Sequence, residues 1–239
     1  LYVLEMNLRC SRSMPFSSKA CGINLMDLWA SIMTSSRLAI PKTSVEVIDS
    51  VYVPNISWWA VKSPQFSWAQ LKGAYPFLGP EMRSTGEVAS LGLSFHEALL
   101  KSWASATPNR IPTSDQAVLI YTTNSQDARI MEKTANILGE SDLEAVTLSG
   151  GIIDRLNALS VEDAVHAIKR NTIGLVITSG YSPSIDYAVR RTAVDHNVPI
   201  ILDAKLGYEV AQAINRHKTG EIVLETRELS EYWQNNASE

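Results

Sequence analysis

The sequence predicts an α/β protein built around an open parallel sheet with flanking helices. Three observations carry that prediction. Four short apolar runs, "AVLIYTT" (117–123), "EAVTLS" (144–149), "GLVITS" (174–179) and "VPIILD" (198–203), lack polar alternation, as strands buried on both faces do. Between and after them lie "QDARIMEKTANIL", "VEDAVHAIKR", "SIDYAVRRTAVDHN" and "KLGYEVAQAINRHK", each with apolar residues at helical spacing. Strict alternation of the two patterns implies right-handed crossovers between parallel strands.

The elements follow in chain order. "LYVLEMN" (1–7) reads as a strand and "LMDLWASIM" (25–33) as a helix. "VEVIDSVYVPNISWWAVKSPQFSW" (45–68) reads as strand and turn material. In the stretch from Leu78 to Trp103, the spacing of Ser84, Thr85, Gly86 and Glu87 fits a capping box, and a helix runs from about Ser94 to Trp103. "SATPNRIPTSDQ" (105–116), with its two prolines, breaks the pattern and suggests two domains, 1–108 and 109–239. After the four strand and helix pairs, "EIVLE" (221–225) could add an edge strand before a polar tail.

Composition narrows the function. Of 239 residues 45% are apolar and 19% charged, with a net charge of −4, which marks no general nucleic-acid or membrane-surface binder. No apolar run reaches the roughly 18 residues of a membrane span. Cys10 and Cys21 are too few for a disulfide framework and have no His neighbours at ligand spacing, so a cytoplasmic location without structural zinc is expected. Because Leu1 is not Met and no charged leader precedes it, the chain reads as the C-terminal piece of something longer.

The opening strand carries the chemistry. On a strand, Glu5, Asn7 and Arg9 share one face while Leu4, Met6 and Leu8 fill the other, and Arg12 lies just beyond. Carboxylate and carboxamide oxygens suit Mg2+, and arginines suit phosphate or carboxylate anions. Together they could hold a metal-bridged triphosphate and an acyl phosphate at one strand end. The plain alternative is a half-exposed strand with a solvated polar face.

"LEMNLRCSRSMPFSSKACGINL" (4–25) closely resembles the end of the second ATP-grasp unit in the large subunit of carbamoyl phosphate synthetases, where the pattern is Glu-x-Asn-x-Arg-x-Ser-Arg-[Ser/Thr]-x-Pro-Phe-x-Ser-Lys. "LGPEMRSTGEV" (78–88) resembles a second signature of that subunit, and "VRRTAVDHNVPI" (189–200) the last helix-to-strand passage of its methylglyoxal synthase-like regulatory domain. The resemblance implies a partial ATP-grasp C-terminal segment followed by a methylglyoxal synthase-like sheet. It implies that Glu5 and Asn7 bind the Mg2+ (or Mn2+) of ATP, and that Arg9 and, more strongly, Arg12 sit beside the reacting anion. The implied activity is a ligase's: carbamate is phosphorylated by a second ATP, after bicarbonate activated by a first has met ammonia, for arginine and pyrimidine synthesis. Phosphoryl transfer of this kind rests on positioning and charge neutralisation. The implied partners are the remainder of the large subunit and a glutaminase subunit or domain. Most of an ATP-grasp pocket lies upstream of such a strand, so this chain alone should be inactive. Lys19 belongs to the pattern without an assigned role.

Other candidates weigh less. Ser11, Ser13, Ser17 and Ser18 lack a positioned base, since His96, His166, His196 and His217 all fall in predicted helices. Trp58, Trp59, Trp68 and Trp103 suit a core or domain contact better than base stacking, because no basic stripe interleaves with them. In the sheet domain, "TTNSQ", "LSGGI", "TSGYS" and "DAKLG" should surround one crevice beyond the strand ends. There the tentative effector residues are Ser149, Gly150, Gly151, Thr178 and Ser179, with a tight turn as the plain reading of the glycine pair.

Relatives of this family bind nucleotides or an acetylated amino acid there, commonly through a Thr-x-Gly-Thr turn. This sequence has Leu148, Ser149, Gly150 and Gly151 instead, and loses charge-assisted bonds worth on the order of 1.5–3 kcal/mol each. A methylglyoxal synthase would need His-Asp where Thr122, Thr123 and Asn124 stand. Biotin carboxylase-like ligases share Glu-x-Asn-x-Arg but lack the regulatory tail. A non-catalytic module binding a small anionic or nucleotide effector is the main alternative.

Overall fold

The structure, a computed structural model, describes residues 2–7, 9–34, 45–48, 51–54, 56–81, 83–153 and 155–234. The chain forms two compact units, one of Leu1–Ala60 with Glu225–Glu239 and one of Val61–Leu224.

In the first unit α1 spans Met14–Cys21 and α2 spans Leu25–Met33. Pro15 in the first turn of α1 loses no helical bond, because the first N–H groups of a helix have no partner within it. Gly22, at φ +68°, ends α1 in the left-handed conformation, and the Ile23 N–H closes on the Ser18 carbonyl at 3.0 Å. β1 (Val45–Ile48) pairs antiparallel with β2 (Val51–Pro54).

The second unit takes in most of β3 (Trp59–Gln65), which pairs with β4 (Gly86–Gly92). α3 (Phe95–Ser105) then packs on β4. The capping box lies not at Ser84–Glu87 but at Ser94–Glu97. The Ser94 hydroxyl accepts from the Glu97 N–H at 3.2 Å, and the Glu97 carboxylate accepts from the Leu93 N–H at 2.8 Å. Both sites have Ser or Thr three residues before Glu; an apolar helical run follows only the second, and Gly86 opens a strand instead.

The sheet follows as β5 (Ala117–Thr122), α4 (Ala128–Glu140), β6 (Ala145–Leu148), β7 (Asn157–Leu159), α5 (Val161–Lys169), β8 (Ile173–Ser179), α6 (Pro183–Asp195), β9 (Ile200–Ile201) and α7 (Ala204–Lys218). Its order is β7-β6-β5-β8-β9, all parallel. Alternate residues serve the two faces. Val118, Ile120, Leu175 and Ile177 pack with Leu100, Met131, Leu138, Val210 and Ile214 of α3, α4 and α7. Leu119, Tyr121 and Val176 pack with Ala164, Ile168, Val189 and Ala193 of α5 and α6. The predicted α/β parallel sheet with flanking helices is therefore observed.

α8 (Leu229–Gln234) returns to the first unit. There Trp58 donates its indole N–H to the Ala20 carbonyl and meets Tyr232 edge-on, while Trp233 donates to the Lys19 carbonyl. These bonds fasten the C-terminal end of α1.

Three expectations change. Residues 2–7 form no strand: no described strand lies beside them to supply ladder bonds, and Tyr2, Val3, Leu4 and Met6 are exposed. Leu8 and Leu1 lie outside the described residues. Residues 221–225 also make no strand, for Val223 faces solvent and Glu221 pairs with Arg216. β7 was not foreseen from "NALSVEDA"; three residues without a β-branched side chain carry no strand signal, and only pairing with β6 defines it.

Candidate functional sites

The opening motif folds as an exposed segment leading into α1. Asn7 donates its amide N–H to a Glu5 carboxylate oxygen at 3.2 Å, and the Arg9 N–H returns to the Asn7 carbonyl at 2.9 Å. The two side chains are thus adjacent through the Asn7 amide nitrogen, and Glu5 makes no salt bridge among the described residues. Arg9 and Arg12 are exposed and likewise make no described salt bridge. The donor set fits a divalent cation that takes most of its ligands from elsewhere, as Mg2+ bound with phosphates and water does. Among the described residues no cluster of three or more His, Cys, Asp or Glu could cage a metal.

In the sheet unit the strand order reverses between β5 and β8, so the crevice at their carboxyl ends is the switch point where α/β sheets receive ligands. The Thr122 and Ser179 hydroxyls meet there at 2.7 Å and both are buried. The Thr178 hydroxyl is buried too, and accepts from Arg190 at 3.2 Å. Gly180, at φ +85°, lies so close to Thr123 that an added Cβ would fall 2.3 Å from its hydroxyl oxygen. Ser149 and Gly150 are exposed, and Gly151 turns its N–H to the Leu148 carbonyl. Of the tentative effector residues, Thr178 and Ser179 are neighbours at the end of β8 whose side chains leave opposite faces of the sheet, and both hydroxyls are held in internal bonds. Ser149–Gly151 keep an open loop at the end of β6.

The structure also reveals a network that sequence reading missed. Arg190, fully buried on α6, forms a pair with Asp186 at 2.7 Å and donates to the carbonyls of Pro76 and Gly180. The other carboxylate oxygen of Asp186 accepts from the Tyr75 hydroxyl at 2.7 Å, and that hydroxyl accepts from the Ser182 N–H at 3.3 Å. Burial and the bond to Asp186 push the Tyr75 phenol up to about 12. Next along α6, Arg191 donates to the carbonyls of Trp68, Leu71 and Ala74. Its bond to Asp195 holds that carboxyl below the usual carboxylate range. The two arginines thus fix the 68–76 segment on α6.

These features define an α/β protein in which an oxygen-donor and arginine motif precedes a doubly wound sheet with a polar switch point. No family model matches the chain. Among curated proteins, it is 45% identical over 99% of its length to the carbamoyl phosphate synthase large chain of Hyperthermus butylicus. It is 47% and 44% identical, each over 97% of its length, to the proteins of that name from Pyrococcus furiosus and Saccharolobus solfataricus. The chain belongs to the carbamoyl phosphate synthase large chain family. It spans about a fifth of the length of these relatives, 22%, 21% and 21% respectively. Among the described residues no helix is long and apolar enough to cross a membrane.

Proposed function

We propose that the chain is the C-terminal section of an ATP-dependent ligase that makes carbamoyl phosphate from bicarbonate, glutamine-derived ammonia and two ATP, feeding arginine and pyrimidine synthesis in the cytoplasm. In this reading residues 1–108 close the second ATP-grasp unit and 109–239 form its allosteric domain. The observation that carries it is 45% identity across 99% of the chain to a protein named carbamoyl phosphate synthase large chain. The adjacency of the Glu5 and Asn7 side chains supports it locally.

ATP with Mg2+ (or Mn2+), when bound, supplies the phosphoryl group and part of the charge neutralisation. Glu5 and Asn7 would hold the metal. Arg9 and Arg12 neutralise and orient the carbamate anion as its oxygen approaches the phosphorus. None of the four needs to move a proton, since positioning and electrostatics dominate such transfers. The remainder of the large subunit supplies the other walls, and a glutaminase subunit supplies ammonia. The test is substitution within the reassembled enzyme. Glu5→Ala with Asn7→Ala should lower the carbamate-dependent ATP step at least a hundredfold and raise the Mg2+ concentration needed for half-activity. Unchanged turnover and metal dependence would remove the assignment.

A second reading is kept by the open Ser149–Gly151 loop: a non-catalytic module that binds a small anionic effector. Calorimetry with uridine and inosine monophosphates separates it, since binding that Ser149→Pro abolishes favours an effector role and silence disfavours one.

A further inference from the structure

A cavity of about 680 Å3 lies within the Val61–Leu224 unit. Its walls include Trp68, Tyr75, Phe77 and Tyr181, and Arg83 and Thr85 supply the polar side. Its size is that of small-molecule sites, which are concave, largely apolar and carry few polar groups.

The aromatic wall is built, not incidental. Tyr75 is pinned through its hydroxyl to Asp186 and the Ser182 N–H, with the Arg190 guanidinium 5.0 Å from its ring centre. Phe77 and Tyr181 meet edge-on at 4.7 Å, and Tyr75 meets Tyr181 edge-on at 5.4 Å. Three rings are thus held in fixed relation, while Tyr181 remains 63% exposed. A large aromatic side chain left that open beside two packed rings offers a face to a planar guest.

Arg83 supplies the sign of the charge. Its ion-pair partner among the described residues is Glu81, two residues away at 3.1 Å, whose side chain is 74% exposed. Such surface pairs contribute little, so an incoming carboxylate or phosphate can take the guanidinium at little cost. The other two guanidinium groups nearby are buried and already engaged, Arg190 with Asp186, Pro76, Thr178 and Gly180, and Arg191 with Asp195 and the carbonyls of Trp68, Leu71 and Ala74.

We infer that this basin is a binding site for a planar aromatic or heteroaromatic anion, the ring lying against Tyr75, Phe77 and Tyr181 and the anionic group on Arg83. The site shares no residue with the Glu5–Arg12 motif or the Ser149–Gly151 loop, and it does not depend on the ligase reading. Because the pinned ring belongs to the network that reaches Thr178 and Gly180, occupation of the basin bears directly on the end of β8.

The test uses the whole chain and 2-naphthoate as probe, with 2-naphthamide as its uncharged counterpart and acetate as the anion without a ring. Backbone amide shifts in NMR titrations report affinity and place. The expected result is saturable binding of 2-naphthoate that shifts Thr85 and Tyr181, with 2-naphthamide about tenfold weaker and acetate without effect, as loss of one charge-assisted bond dictates. Arg83→Gln should bring 2-naphthoate down to the level of 2-naphthamide, and Tyr181→Ala should weaken both. The amide spectrum of Arg83→Gln away from the basin serves as the folding control. Equal affinity of the charged and uncharged probes, no effect of Arg83→Gln, or shifts centred on Thr122–Asn124 would each overturn the inference.

Discussion

Arg190 shows how one residue organises a site. Its guanidinium is fully buried and bonded on all sides, and the carboxylate beside it has no other cation among its described bonds. Arg190→Met should therefore cost about 3–5 kcal/mol, because it strands Asp186 in the core, whereas Arg190→Met with Asp186→Leu should be clearly less destabilising. Urea unfolding of the two variants measures the difference, and equal losses would contradict the pairing. Tyr75 adds a pH dependence. Its phenol is raised from the ordinary 10 to about 12, so its neutral, donating form contributes fully below pH 10 and is lost as pH rises through 12. Stability should fall over that window in the parent chain, and fall less in Tyr75→Phe, as thermal melts across the window would register. None of this was legible in "YAVRRTAVDHN". The stretch read as a helix and a family signature with no role for its two arginines, whose partners Pro76 and Trp68 lie 114 and 123 positions away. By contrast the Glu5, Asn7, Arg9 and Arg12 spacing stood out at once, because apolar alternation makes a polar face conspicuous.

At the scale of elements, caps and close approaches decide where helices begin and how near they come to the sheet. Ser94→Ala should destabilise by about 1 kcal/mol, since it removes the acceptor for the Glu97 N–H, while Ser84→Ala should be nearly neutral. Unfolding midpoints of the two variants check the corrected capping site. Gly207 lets α7 approach β8, for a Cβ there would sit 2.4 Å from Ile177 Cγ2. Gly207→Ala should therefore force α7 off the sheet and lower the melting temperature by several degrees, on the scale of about 1–3 kcal/mol for overpacking. The four apolar runs were readable as strands because burial on both faces leaves no room for polar residues. β7 was not, because an edge strand of three residues takes its identity from its neighbour. The opening strand failed for the related reason that a strand is defined by pairing, and residues 2–7 have no described neighbour to pair with.

Taken whole, the molecule combines a five-stranded sheet domain with an exposed motif whose apolar residues Leu4 and Met6 are 96% and 78% open to solvent. Under the proposed function, that segment is covered on assembly with the rest of the large chain. The sequence alone yielded the α/β class and the family resemblance, because both rest on local pattern. It did not yield the aromatic basin, whose walls come from segments about a hundred residues apart and are joined only by tertiary packing. The most direct test of the central claim is to mix this chain with the remaining large-subunit sequence of its Pyrococcus furiosus relative and a glutaminase subunit, then measure carbamoyl phosphate formed from bicarbonate, glutamine and ATP. The account predicts product only when all parts are present and none from this chain alone. Failure to form product, with the same remainder shown to be active when joined to its own C-terminal section, would contradict it.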